Sequence, residues 1–296
     1  MTRAGTRAAV IAPVVFAAAV QCLRLSGGSA AAQQPTFSSR LDAVRVDVLV
    51  TERNRVALGL GPADFEVLDN GVPQTVDLVS FEELPLNVVL VFDLSASLAG
   101  ERLEQLQVAA KAMLGGLKPR DQAALLTFSH RVELAQPLTG DAGAVAAAVE
   151  AALPAGDTAL FDGTYAGLLL GLSDPGRDLV IVFSDGVDTV SWLSAAQVIE
   201  TAKRTDAVVY GASVRGVGSI PFLRDVTQQT GGSTIEVDSP RELSARFLAI
   251  LEEFRQRYLV SYSPRGVTSG GWHRLDVRVK GRRTVTVKAR PGYLAR

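Results

Sequence analysis

Residues 87–97 read Asn87-Val88-Val89-Leu90-Val91-Phe92-Asp93-Leu94-Ser95-Ala96-Ser97. An apolar, mostly β-branched run with no polar alternation ends abruptly on an acid. A run this short reads as a strand covered on both faces, the kind found inside a parallel sheet. Asp93 then falls at the carboxyl end of the strand, where open α/β sheets hold their ligands. Ser95 and Ser97 occupy the turn that follows, and Glu101 to Leu117 reads as the next helix. An Asp-x-Ser-x-Ser turn offers one carboxylate and two neutral oxygens to a common point, a donor set suited to a hard divalent cation. A serine-rich loop that only caps the helix is the alternative reading of this turn.

Downstream, buried-strand patterns alternate with helical ones. Asp121 to Phe128 is a second apolar strand, and Arg131 to Ala135 fits a short antiparallel edge strand. A third strand follows Arg177-Asp178 and runs into Ser184-Asp185-Gly186, and others are expected at Ala207 to Val214 and Ser233 to Val237. Helices are expected from Asp141 to Leu153, Leu160 to Leu172, Ser194 to Arg204, Pro221 to Thr230 and Pro240 to about Arg257. This alternation predicts an α/β fold over residues 85–257, a doubly wound, mostly parallel sheet with helices on both faces. The flanks are different. Val46, Val48 and Val50 alternate with Asp47, Leu49 and Thr51, Asp69-Asn70-Gly71 is a hairpin turn, and alternation returns in Tyr258 to Ser263, His273 to Lys280 and Thr284 to Arg290. Neither flank can bury a core alone, so segments 33–84 and 258–296 are expected to build one smaller β-sandwich-like module from both chain ends.

The 296-residue chain is 47% hydrophobic, enough for a substantial core, and its formal charge of -1 gives no electrostatic grip on nucleic acid or anionic lipid. Arg3 and Arg7, an apolar run from Ala8 to Val20, and small residues at Ser29 to Ala32 read as a secretory signal, residues 1–32, cut near Ala32. Export to the periplasm or beyond is the expectation, with no transmembrane segment in the mature chain. Removing Arg3, Arg7 and Arg24 leaves 27 basic residues against 31 acidic ones, a mature charge of about -4. The single cysteine, Cys22, precedes the cut and follows Gln21 rather than the small residue a lipid anchor would need. The mature protein would therefore rely on its core, and on any metal, rather than on disulfides.

Two later stretches complete a pattern: Gly156-Asp157-Thr158-Ala159-Leu160-Phe161-Asp162-Gly163 and Val180-Ile181-Val182-Phe183-Ser184-Asp185-Gly186. With the first stretch they resemble the von Willebrand factor A domain and its metal-ion-dependent adhesion site (MIDAS). The resemblance implies a metal set of Asp93, Ser95, Ser97, Thr158 and Asp185 on a six-stranded, Rossmann-like sheet with one antiparallel edge. It further implies that Ser95 and Ser97 bind directly, that Asp93 and Asp185 act through bound waters, and that Thr158 binds directly or through water. Hydroxyl and carboxylate donors suit Mg²⁺, with Mn²⁺ or Ca²⁺ as alternatives. The flanks also resemble bacterial secreted von Willebrand factor A-related proteins of the acidobacterial type, through Val46 to Thr51, Asp64 to Gly71, Tyr258 to Pro264 and Arg290 to Tyr293. Two positions depart from the family: Ala96 and Asp157 stand where glycine is common.

The implied function is adhesion-type binding, in which a metal-bound position accepts a carboxylate from a protein partner without chemistry on it. A domain whose metal only stabilises loops is a second reading, and a Mg²⁺-dependent phosphoryl-transfer enzyme a third. The sequence has no Gly-x-x-x-x-Gly-Lys-Ser/Thr loop and no Gly-x-Ser-x-Gly elbow, and Ser95 stands where an aspartyl phosphatase needs a second acid. A non-enzymatic protein is expected on those grounds. Asp157 is expected to face solvent, Asp162 to cap its helix and Asp188 to hold its loop. His130 and His273 are expected to be ordinary surface or edge residues, and Lys280, Arg282, Arg283 and Lys288 a solvated hairpin tip. Trp192 and Trp272 could be exposed anchors or packed side chains.

Overall fold

The apolar run forms the strand Leu86–Asp93, and all eight of its residues are buried. Alternate side chains feed two different cores. Val88, Leu90 and Phe92 pack under the helices Glu101–Gly115, Ala142–Ala151 and Leu243–Arg255. Val89 and Val91 pack under Leu160–Leu170, Ala195–Ala202 and Pro221–Thr230. A strand with helices over both faces has no solvent side to alternate toward, which is why its sequence is uniformly apolar. Each such side chain contributes about 1.5–3 kcal/mol of burial, set against the chain entropy lost on folding.

The computed structural model describes residues 43–53, 55–170, 176–214, 221–282 and 284–295. The expected signal segment, Cys22, the leader Gln33–Ser39 and Arg283 lie outside the described residues. The central sheet has six strands in the order Thr234–Val237, Val208–Val214, Arg177–Phe183, Leu86–Asp93, Gln122–Phe128 and Val132–Thr139. The first five run parallel and the last, at the edge, antiparallel. Leu86–Asp93 and Arg177–Phe183 are direct neighbours, with Phe92 opposite Phe183, so Asp93 and Asp185 emerge side by side at one end of the sheet. On the second face the helix Leu160–Leu170 comes unusually close. A Cβ on Gly163 would meet Phe128 at 2.5 Å, and one on Gly167 would meet Val91 at 2.6 Å. Only glycine lets this helix, which follows Thr158 directly, lie so near the strand that carries Asp93.

The strands at the two ends of the described chain are joined. Val44–Glu52 pairs antiparallel with Tyr258–Tyr262 (Val46 opposite Val260) and, further along, with Val285–Lys288. Val76–Phe81 pairs with the other edge of Tyr258–Tyr262. A second small sheet holds Gly292–Ala295, Gly271–Val279, Phe65–Asp69 and Val72–Gln74 in that order. Both sheets contribute to one core, including Val46, Val48, Phe65, Val67, Tyr258, Val260, Tyr262 and Leu275. Asn70 and Gly71, at φ of 48° and 82°, turn the chain between Phe65–Asp69 and Val72–Gln74, the left-handed pair a tight hairpin requires.

His273 departs from its expected surface position: it is 1% exposed. Its Nδ1 lies 2.7 Å from Asp69 Oδ1, while the Tyr262 and Tyr293 hydroxyls donate to Asp69 Oδ2 at 2.8 and 2.9 Å. A buried carboxylate is costly without such partners, so one acid from the first segment is held by three residues from the last. Lys288 also departs from the solvated tip: half-buried, it reaches Ser233 and lies 5.5 Å over the Tyr210 ring. Arg282, by contrast, is exposed. Residues 41–296 form one compact unit. A principal junction is Arg177, at the start of its central strand, which is buried against Asp47 of Val44–Glu52 and donates from Nη2 to the Phe254 carbonyl at 3.2 Å.

Candidate metal centre

Asp93 is the last residue of its strand and is wholly buried. Its Oδ1 accepts from the Ser95 backbone N–H at 2.8 Å, the local bond that an Asp-x-Ser turn makes by itself. Its Oδ2 accepts from the Ser184 hydroxyl at 2.6 Å. Burial pushes the Asp93 carboxyl above its ordinary range, hydrogen bonds from Ser184 and Ser95 pull it back, and the nearby Asp185 charge pushes it up again. No cationic side chain among the described residues pairs with it.

From Asp93 the chain bends away through Ser95, which is buried, into a short 3₁₀ turn at Ala96–Leu98. The Ser95 and Ser97 hydroxyls lie 3.0 Å apart, and Ser97 Oγ donates to Asp185 Oδ1 at 2.8 Å. Ser97 itself is exposed, so this cluster of oxygens opens to solvent on one side. Ala96 has a negative φ, outside the left-handed region, which explains why alanine replaces glycine there without strain. Gly100, at φ of 81°, is where the turn does need glycine, just before the helix Glu101–Gly115.

Thr158 is buried beside this cluster. A Cβ on Gly186 would lie 3.5 Å from the Thr158 hydroxyl, which places that hydroxyl against the residue after Asp185. Backbone bonds sew the loops together: Ala155 donates to the Leu94 carbonyl at 2.7 Å and Ala96 to the Gly156 carbonyl at 3.0 Å. Thr158 N donates to Thr189 Oγ1 at 3.0 Å, and Thr189 N returns a bond to the Thr158 carbonyl at 2.8 Å. Four of the five expected residues thus form one chain of hydrogen-bonding contacts, with Thr158 in the adjoining wall. Asp157 faces solvent.

Asp162 works differently from expectation, whereas Asp188 holds its loop as expected and does more. Asp162 does not cap its own helix; its two oxygens accept from Trp192 N and Leu193 N, each at 2.9 Å, and brace the loop after Asp185. Asp188 holds that loop through Ser191, and it also caps the helix, accepting from Phe161 N at 3.2 Å. Trp192 is 96% exposed on this braced loop, whereas Trp272 is partly covered, with Lys203 5.4 Å over its ring.

Two residues of the centre escaped the sequence reading. Ser184 is the hydroxyl nearest Asp93, and its one signal was its place just before Asp185. Arg102 lies in the first turn of Glu101–Gly115, and its Nη1 donates to Asp185 Oδ2 at 2.7 Å. Its signal, a basic residue at the start of the helix after the Asp-x-Ser-x-Ser turn, needs the helix direction to be interpreted.

The donor set fits a hard cation. It has two carboxylates and three hydroxyls, no sulfur and no imidazole, and a buried acid that lacks a positive partner. Among the described residues no three His, Cys, Asp or Glu side chains gather, so any cation held here depends on the hydroxyls.

The family model for the von Willebrand factor type A domain matches residues 88–187. Among curated proteins, the chain is 27% identical over 138 residues to inter-alpha-trypsin inhibitor heavy chain H2 of Sus scrofa, covering 42% of this chain and 15% of that protein. It is 32% identical over 87 residues to an uncharacterized protein of Synechocystis, covering 29% of this chain and 21% of that one. The chain therefore spans well under two thirds of either relative's length. Among solved structures, a von Willebrand factor type A protein from Catenulispora acidiphila superposes with a TM-score of 0.54 at 12% identity, covering 85% of this chain and 74% of that one. Proximal thread matrix protein 1 from the mussel byssus, with a zinc-occupied MIDAS motif, gives 0.52 at 17% identity, covering 63% and 49%. Residues 88–187 are thus a match to the von Willebrand factor type A domain, and the α/β fold built around Asp93 is of that type.

Proposed function

We propose that this protein is a non-enzymatic, exported binding module that holds a divalent cation at Asp93, Ser95, Ser97, Thr158 and Asp185 and uses it to take a carboxylate from a protein partner. The observation that carries this reading is the contact chain Asp93–Ser95–Ser97–Asp185, closed by a buried acid at one end and open to solvent at Ser97. Ser95 and Ser97 supply neutral oxygens, Asp93 and Asp185 supply charge, and Thr158 lines the position beside Gly186. Mg²⁺ is the preferred ion, since it takes about six oxygens and keeps water, hence an exchangeable position, where protein donors run out. The cation supplies an electrophilic position for an acidic oxygen; the residues bind, orient and shield it.

The exposure of Ser97 favours this over a metal that only ties loops together, which would need no opening. Export after a cut near Ala32 is supported by the sequence of residues 1–32, and the mature chain is read as segments 33–84, 85–257 and 258–296. The two end segments constitute a β-sandwich-like module in this reading, and the acidobacterial-type subfamily is the proposed home of the whole arrangement. No helix among the described residues is long and apolar enough to cross a membrane.

Calorimetric titration of Mg²⁺, with capture of partners in Mg²⁺ against EDTA, tests the proposal. Asp93→Ala should abolish both signals, and Ser95→Ala should weaken Mg²⁺ binding less, because water can replace a neutral ligand. Thr158→Ala should mainly impair partner capture. Equal Mg²⁺ affinity for wild type and Asp93→Ala would sink the reading.

A further inference from the structure

The centre has a third formal charge. Arg102 Nη1 donates to Asp185 Oδ2 at 2.7 Å and lies 3.4 Å from the Ser97 carbonyl. The Asp185 side chain is fully buried while that of Arg102 is 40% exposed, so the guanidinium covers Asp185 from the solvent side and leaves the opening at Ser97 beside it. Glu101, the neighbouring acid, is engaged elsewhere, with its Oε1 2.9 Å from Arg241 Nη2, and does not neutralise Arg102. Both Asp185 oxygens are therefore occupied, one by the Ser97 hydroxyl and one by an internal cation.

We infer that Arg102 is a built-in counter-cation that competes with the divalent ion for Asp185 and, once the ion is held, makes the site selective for acidic ligands. This inference rests on the metal reading above and adds a determinant to it. Two carboxylates and one guanidinium give the centre a formal charge of -1 without metal and +1 with it. The same centre without Arg102 would go from -2 to neutral. Arg102 thus lowers the attraction for a dication and raises the attraction of the loaded site for an anion. Effects of opposite sign on two ligands follow from charge and not from packing. The guanidinium has room to yield, because its exposed side lets it swing toward water, where its charge is screened. When it yields, it stays beside the open position at Ser97, where a planar fork of donors suits a carboxylate that also reaches the metal.

The test uses the full chain, Mg²⁺ as the metal probe and acetate as the probe of the acid position. Arg102→Gln and Arg102→Ala both remove the charge; Arg102→Lys keeps it. In calorimetry both neutral variants should bind Mg²⁺ about tenfold more tightly than wild type, a Coulomb effect already reduced by exposure, and the lysine variant should stay within about twofold. Acetate should tighten Mg²⁺ binding in the wild type and do so less in the neutral variants, since two ligands of one site strengthen each other reciprocally. Mg²⁺ affinity unchanged or weakened in both neutral variants would overturn the inference, as would an undiminished acetate effect. Asp93→Ala separates the two levels. If it loses Mg²⁺ while the Arg102 variants match wild type, the metal reading stands and the Arg102 inference falls. If wild type and every variant give no Mg²⁺ signal, both fall.

Discussion

Two acids in the central sheet show how differently one fold treats a carboxylate. Asp93 has its oxygens saturated by neutral donors at the end of the sheet where loops gather. Asp178 sits near the start of the neighbouring strand, 7% exposed, with the Asn87 amide donating to it at 3.0 Å. Burial pushes the Asp178 carboxyl from 3.8 up to about 7; the Asn87 bond and the Arg45 charge oppose this, and Asp206 and Asp47 add to it. The folded state therefore holds this proton more tightly than the unfolded chain does. The stabilisation is fully present below about pH 3.8 and is lost as pH rises through about 7. Asp178→Asn should consequently flatten this part of the pH profile and raise stability near pH 8 by roughly 1–2 kcal/mol. Urea midpoints for both proteins near pH 5 and pH 8 check it, using buffers of about those values. A wild-type-to-variant difference that is the same at both would show that the buried acid is not titrating. Of the five candidate ligands, Asp93, Ser95 and Ser97 stood out by their own pattern, an acid and two hydroxyls at a strand end, while Thr158 and Asp185 were implied only by the family resemblance. Asp178 gave no comparable signal, since its burial depends on which strand lies beside it.

At the scale of elements, the decisive packing is the helix Leu160–Leu170 on the strand Leu86–Asp93. Gly167→Ala places a methyl 2.6 Å from the Val91 side chain, so the helix must lift or Val91 must turn. The cost should be roughly 1–2 kcal/mol, the overpacking penalty less the gain in helix propensity. Gly115→Ala, in the last turn of Glu101–Gly115 with nothing within 4 Å of the new Cβ, should instead gain roughly 0.5–1 kcal/mol. Denaturant unfolding of the two variants side by side tests the contrast, and a gain at Gly167 would show that the close approach is not tight. Strand and helix identities were readable from apolar period, and the hairpin at Asn70-Gly71 from its residue types. That Asp188 rather than Asp162 caps the helix Leu160–Leu170 was not. Both precede or follow a loop, and only the way that loop folds back over the helix start decides which acid meets which N–H.

Across the whole molecule, the α/β sheet and the end strands are fastened by charge as well as by apolar contact. Arg177 and Asp47 are 2% and 6% exposed at their side chains, and the guanidinium lies 4.8 Å over the Phe254 ring. Arg177→Met leaves Asp47 buried without its cation and should cost about 3–5 kcal/mol; removing both charges, with Asp47→Leu added, should recover part of that. A double-variant loss equal to the sum of the two single losses, read by denaturant unfolding, would mean that the pair is not coupled. Arg290 adds a second fastening, donating to the Thr205 carbonyl at 2.9 Å and to Asp206 at 3.1 Å. That the end segments need each other was an argument from size alone. That His273 lies buried between Asp69 and Tyr293 was not legible, because a histidine in an alternating strand looks the same on either face.

The strand Arg177–Phe183 carries both the Arg177 fastening at its first residue and, two residues past its last, Asp185 of the centre. Seven strand residues at about 3.3 Å each make a stay of roughly 23 Å, with Asp185 just beyond its far end. Tension applied between an occupant of the centre and the end strands would run lengthwise down this stay. The hydrogen bonds that tie it to Leu86–Asp93 and Val208–Val214 lie across that direction on both edges. They would be loaded together in shear rather than opened one after another, so a pull on the centre is shared by the whole width of the sheet.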